Sequence, residues 1–90
     1  MSARDHMERV ASLPCLICKF CLGQERYGVQ VHHAGEHTER DDWAVVPLCE
    51  LHHTGAEGVH GLHRRGFERR WKVSDVKLLA WTNKLLSGTA

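Results

Sequence analysis

Apolar positions alternate along 27–32, run together over 43–48, and return at three- and four-residue intervals from position 62 onwards. Tyr27-Gly28-Val29-Gln30-Val31-His32 therefore predicts a strand. Trp43 to Leu48, ending in Pro47-Leu48, predicts a second strand or an extended entry into the next turn. Between them Ala34 to Asp42 is polar, contains Gly35, and reads as a loop. Cys49 to His53 begins a short helix that stops near Gly55, and residues 54–62, with Gly55, Gly58 and Gly61, read as a loop. Leu62 to Trp71 forms a helix with Phe67 and Trp71 four apart on one face. Ser74 can cap a final helix to about Ser87, where Leu78, Trp81, Thr82 and Leu85 make an apolar stripe with Leu79 and Leu86 beside it, and Gly88 stops it. Residues 1–12 are polar and at most weakly helical. Pro14 introduces Cys15-Leu16-Ile17-Cys18, and Cys21 and Gly23 suggest a tight knuckle that returns into the first strand. Two strands followed by helices, with no repeat or long linker, make a small α+β chain.

Ninety residues allow one domain, spanning 1–90, with little interior to stabilise it. Eight histidines and four cysteines suggest that a metal crosslink replaces core the chain cannot build. Two disulfides are the alternative for a secreted protein. Arg4, Asp5, Glu8 and Arg9 leave no apolar signal segment, so a reducing cytosol is expected. No run approaches the ~18 apolar residues a membrane span requires. The net charge of +1 hides an asymmetry. Residues 1–59 carry five Lys/Arg against nine Asp/Glu, and residues 60–90 carry seven against two. Five of those seven are Arg64, Arg65, Arg69, Arg70 and Lys72. Such a run is a solvated helix face or a surface for a polyphosphate backbone, which it would hold without reading sequence.

Two metal sites can be drawn. Cys15-x2-Cys18 is one clasp and Cys49-x2-His52 a second. Together they make a Cys3His set, an ordinary structural zinc site, joined across 34 positions of chain. Cys21 repeats the spacing from Cys18, but a third ligand from one knuckle would crowd the ion, so it reads as a core or spare cysteine. The second, open site uses His32 and His53. His53 follows His52 on the short helix and is turned about 100° away from the zinc. His32 and His33 end a strand, so their side chains diverge. One can ligate while the other acts as general base, since imidazole titrates near neutrality.

The order Cys-x2-Cys, then His-His after a strand, then Pro-Leu-Cys-x2-His-His, resembles the HNH endonucleases. These have a ββα-metal (His-Me finger) fold, and the likeness is greatest to the phage and prophage branch related to the recombination-enhancement nuclease Ref. Gly58-Val59-His60-Gly61 and Phe67-Glu68 are similar to the downstream part of that branch, and the resemblance spans about 14–71. It implies a zinc-stabilised ββα core with additional C-terminal helices. It further implies His33 as general base, and His32 and His53 as ligands of a catalytic divalent ion (Mg2+, Mn2+, Ni2+ or Zn2+). His60, with His63 as its rival, would complete that site. The family's middle Asn is missing: Asp41, Asp42, Trp43 and Ala44 stand there, so either a backbone carbonyl holds His33 or Asp42 does part of that work. The implied activity is DNA phosphodiester hydrolysis, nicking one strand with little sequence preference, by a monomer or homodimer in the cytoplasm of a bacterial host. Duplex DNA is the expected partner, and no membrane is involved. Two other readings compete: a non-catalytic zinc-binding DNA adaptor, and an interaction module that dimerises through Leu78, Trp81 and Leu85.

Overall fold

A computed structural model describes residues 1–35 and 40–88, so part of the loop read over Ala34 to Asp42 lies outside the described residues. The order is α1 (Ala3–Ala11), a widened π-turn (Ile17–Cys21), β1 (Gln30–His33), β2 (Val45–Leu48), α2 (Glu50–His53), α3 (Val59–Trp71) and α4 (Asp75–Leu86). The strands form one antiparallel hairpin with Gln30 opposite Leu48, Val31 opposite Pro47, His32 opposite Val46 and His33 opposite Val45. Hairpin, helices and clustered Cys and His residues make the α+β arrangement expected of a ββα core with C-terminal helices. Among the described residues, no helix is long and apolar enough to cross a membrane.

Residues 1–12 are better ordered than their polarity suggests. Ser2 and Asp5 form a reciprocal capping box, each side chain bonding the other's backbone N–H at 3.1 Å. α1 then buries His6 and Val10 against the hairpin and α4. The box was readable as Ser-x-x-Asp, although Asp is not the commonest residue at that position. At the other end, Ser74 caps α4 as the sequence predicts, its hydroxyl accepting from the Lys77 N–H at 3.2 Å.

The core joins Leu16 and Ile17 from the π-turn, Val46 and Leu48 from β2, Phe67 and Val73 from α3 and its exit, and Leu78 from α4. All four residues of β2 are buried, because α1, α2 and α4 pack against it. The α4 stripe is spent inside the molecule. Leu78 and Thr82 are buried, and Trp81 stacks on Phe20 at 4.6 Å between ring centres. A dimer built on Leu78, Trp81 and Leu85 would have to uncover that stack.

The glycine-rich segment is where the fold departs most from the sequence reading. Helical bonding starts at Val59, inside the stretch read as loop. A Cβ on Gly58 would lie 2.6 Å from the His53 carbonyl, and one on Gly61 would overlap the Gly55 carbonyl oxygen. Only glycine lets this strap lie so tightly on α2. The helix is broken at His63, where φ 62° and ψ 164° lie in a region that strains any residue but glycine. α3 is thus a short first turn carrying His60, followed by the basic helix ending at Trp71.

Candidate metal centres

The first cluster is assembled by two local turns. Pro14 leads into the π-turn, closed by the Cys15 N–H bonding to the Arg26 carbonyl and the Gln24 N–H to the Cys18 carbonyl, both at 2.8 Å. This points both thiols inward. From the other side Cys49 is the N-cap of α2, and His52 lies one turn on. His52 Nδ1 is 3.6 Å from Cys15 Sγ, 3.6 Å from Cys18 Sγ and 3.2 Å from Cys49 Sγ, and Cys18 and Cys49 are 3.9 Å apart. Tetrahedral zinc, with bonds of about 2.3 Å to sulfur and 2.0–2.1 Å to nitrogen, sets edges of about 3.8 Å (S···S) and 3.6 Å (S···N). The donor set therefore fits such an ion.

All four residues are buried. Burial, reinforced by the neighbouring Cys15 and Cys49 thiols, pushes Cys18 up to about 12, and burial raises Cys15 as well. A divalent cation at the centre reverses this preference by binding thiolate. Burial lowers His52, which keeps its imidazole neutral, the state a ligand needs. Trp71 closes the cluster edge-on to His52 at 5.1 Å and is itself fixed by its indole N–H bonding to the Glu57 carbonyl at 3.0 Å. Cys21 stands outside this set. It is exposed, so it is a spare cysteine and not a core one.

The second cluster brings together His32 from β1, His53 from α2 and His60 from the first turn of α3. Ring centres are 5.0 Å apart for His32–His53, 5.4 Å for His32–His60 and 4.8 Å for His53–His60, and the donor nitrogens all lie within 4.8 Å of one another. His60 joins because of the glycine strap, and His63 is outside the group. Burial, with the His53 and His60 rings adding to it, pushes His32 down to about 4. Burial and then His60 lower His53. Both rings are therefore neutral at ordinary pH and offer lone pairs without first losing a proton.

Gln30 is a member of this site that the sequence reading missed. Two residues before His32, it shares that face of β1, and its Oε1 lies 2.7 Å from His53 Nδ1. The bond leaves His53 Nε2 free to ligate. Period-two spacing from His32 was the available signal. His32→Ala and His53→Ala are expected to abolish binding of a second divalent ion in calorimetry while the Cys3His metal is retained. Gln30→Ala should weaken that binding about 10- to 100-fold. Unchanged affinity in the histidine variants would mean that the ion binds elsewhere.

His33 points from the opposite face of β1. It is half-buried, and its Nε2 lies 2.8 Å from Asp42 Oδ1. Arg40 Nη2 reaches its Nδ1 at 3.1 Å. His32, His33, Arg40, His53 and His60 line one open hollow of about 340 Å3. A neighbouring hollow adds His63, Arg64 and Asp75. The basic run is split by its partners. Arg64 pairs with Glu68 at 3.3 Å and with Asp75 at 3.0 Å beside the histidines. Arg70 pairs with Glu57 at 3.5 Å and lies over the Trp71 ring, on the Cys3His side. Arg65, Arg69 and Lys72 are exposed.

Hairpin, short helix and Cys3His cluster together form a small ββα-like metal-binding core consistent with an HNH-type fold. A scan against protein-family models finds no match to this chain, and comparison with curated proteins finds none.

Proposed function

We propose that this protein is a metal-dependent DNA endonuclease of the HNH type, a nickase with little sequence preference from the phage and prophage branch, acting in the cytoplasm of a bacterial host. The observation that carries the reading is the union of three ligating imidazoles, His32, His53 and His60, with a fourth imidazole, His33, on the wall of the same hollow. The Cys3His cluster is its structural zinc, and it anchors α2 and hence His53. His32, His53 and His60 would hold a divalent ion, which would supply positive charge for the phosphate and the leaving oxygen.

The chain's own residues do the rest. His33 takes a proton from a water that attacks phosphorus. The new P–O bond forms in line with the breaking bond to the 3′ oxygen, which leaves and takes a proton from solvent. His32 and His53, kept neutral by burial, hold their ligand geometry without competition from protons at ordinary pH. Arg64, next to this hollow, contacts a flanking phosphate, and Arg65, Arg69 and Lys72 are exposed and free to meet the backbone further along. Arg70, held by Glu57, contributes at the edge. One base and one ion per chain cut one strand, so a double-strand break takes a homodimer or two successive nicks.

A supercoiled-plasmid assay, with Mg2+, Mn2+, Ni2+ and Zn2+ added singly, tests the reading. Conversion to open circles supports it. A protein that binds DNA but leaves plasmid intact with every ion is the zinc-binding adaptor instead. That alternative keeps the Cys3His cluster and basic helix but gives the three-imidazole cluster no role.

The basic surface has its own test. Changing Arg65, Arg69 and Lys72 to Glu leaves the Arg64–Asp75 and Arg70–Glu57 pairs in place. Affinity for duplex DNA of any sequence is expected to fall sharply. The slope of log K against log salt should become shallower by about 0.9 for each phosphate that the variant no longer neutralises. Fluorescence anisotropy across a salt series reads this, and an unchanged slope would leave the run as a solvated helix face.

A further inference from the structure

We propose that His63 is the general acid of the reaction, giving a ring proton to the 3′ oxygen as that oxygen leaves phosphorus. The inference rests on the nuclease reading, and it gives a role to a histidine that neither metal cluster uses.

The backbone supplies the first observation. At φ 62° and ψ 164°, His63 occupies a region that belongs almost wholly to glycine. Both flanks are anchored. Before it, Gly58 and Gly61 lie against α2 and its exit, and the Leu62 N–H bonds to the Gly58 carbonyl at 2.9 Å. After it, Arg64 is held by Asp75 at 3.0 Å and by Glu68 at 3.3 Å, and Phe67 is in the core. Glycine would take the angles at position 63 without steric cost. The chain has Gly55, Gly58, Gly61 and Gly66 around this point, none of them at positive φ, yet it carries a side chain where the angles favour glycine most. Strain of this kind concentrates at catalytic and ligand sites, where a side chain is needed despite the backbone.

The second observation is the place of the residue. His63 lines the hollow that also holds His32, His33 and His60. The hollow with Arg40 and His53 shares those three, so the two make one cleft running past the ligating imidazoles. Arg40 lines only the first part, whereas His63 and Arg64 line only the second. His63 is exposed there, so a proton it loses is replaced from solvent.

An in-line displacement needs a proton acceptor on the side of the attacking water and a donor on the side of the leaving oxygen. An alkoxide leaves reluctantly, because its conjugate acid is a very weak one, and a positioned donor removes that penalty. His33, bonded to Asp42 and reached by Arg40, is the acceptor. His63 is the imidazole left at the other end, next to the arginine that meets the flanking phosphate. As the bond between phosphorus and the 3′ oxygen breaks, the His63 ring N–H breaks too. Its proton completes a 3′ hydroxyl, its electron pair stays on the ring nitrogen, and the ring is reprotonated by solvent. The solvent proton that the leaving oxygen takes therefore passes through His63.

The test uses full zinc-loaded chains of wild type, His63→Gln and His63→Gly. Two short duplexes are compared, one of ordinary linkages and one with sulfur in place of a single bridging 3′ oxygen. A thiolate leaves without a proton, because thiols are far stronger acids than alcohols. In single turnovers with the ion most active for wild type, both variants should cut the oxygen linkage about 10^2- to 10^4-fold more slowly. At the sulfur linkage they should match wild type. In circular dichroism His63→Gly should melt a few degrees above wild type, the relief of strain outweighing the freedom glycine adds to the unfolded chain. Unchanged rates at the oxygen linkage, or equal losses at both linkages, would overturn the proposal; equal losses would make His63 a DNA contact or a support of the cluster. A lower melting temperature for His63→Gly would overturn it as well, since the histidine would then serve the fold. Wild type that cuts neither duplex with any ion removes the nuclease reading and the general acid together, whereas unaffected variants beside an active wild type remove His63 alone.

Discussion

Adding a strong chelator to the zinc-loaded protein is expected to unfold it cooperatively. Cys15, Leu16, Ile17 and Cys18 are almost fully buried and belong to the same core as Val46, Leu48 and Cys49. An ion bound by these four residues would hold the N-terminal turn against β2 and α2 from inside the core, across 34 positions of chain. Sites of this kind bind zinc with about 10–16 kcal/mol near neutral pH. A whole small domain is stable by only about 5–15 kcal/mol. The contribution of a bound ion would therefore be as large as the total. Without it, three buried thiols and an imidazole crowd one another with nothing at their centre. Circular dichroism during a chelator titration, with metal analysis of the starting material, reads the effect. Cys18→Ser should resemble the chelated protein, whereas Cys21→Ser, at an exposed position outside the cluster, should behave as wild type. A chain that keeps its helices and melts normally with no metal bound would contradict the structural role.

His33→Ala is expected to slow plasmid nicking by about 10^2- to 10^4-fold, the usual worth of a positioned proton acceptor. The fold should survive, because His33 is half-buried at the end of β1 and belongs to neither metal cluster. DNA affinity and calorimetric binding of the second ion should survive too, since His32, His53 and His60 are untouched. This separates His33 from His32 and His53, whose loss removes the ion itself. Equal initial rates for His33→Ala and wild type at saturating metal would take His33 out of the role and leave the proton to another acceptor.

How much of this could be read without coordinates follows from how local each feature is. Cys15-x2-Cys18 and Cys49-x2-His52 are clasps whose geometry is set within one turn of chain, and Ser74 caps α4 through a bond to a residue three positions on. Alternation along β1 put His32 and His33 on opposite faces. Such features depend on neighbours a few positions away, and the sequence by itself determined them, along with the α+β class and the pairing of the two clasps.

Other features needed distant backbone. His60 enters the second cluster only because Gly58 and Gly61 let residues 55–61 lie against α2, and no spacing rule states that approach. Of His60 and His63 only the first joins the cluster, and the helix is broken at His63, where φ is 62°. That the Asp42 carboxylate comes to 2.8 Å from His33 Nε2 likewise needed the turn at Asp41 to bring it back over the strand. The basic run looked uniform as a string, yet Asp75 and Glu57, from different segments, bind Arg64 beside the histidines and Arg70 beside the Cys3His cluster. Sequence determined which groups could ligate, cap or accept a proton, because those are properties of residue type and short spacing. Tertiary structure decided which of them meet, because the approach of distant segments depends on packing, and the chain states packing only as a whole.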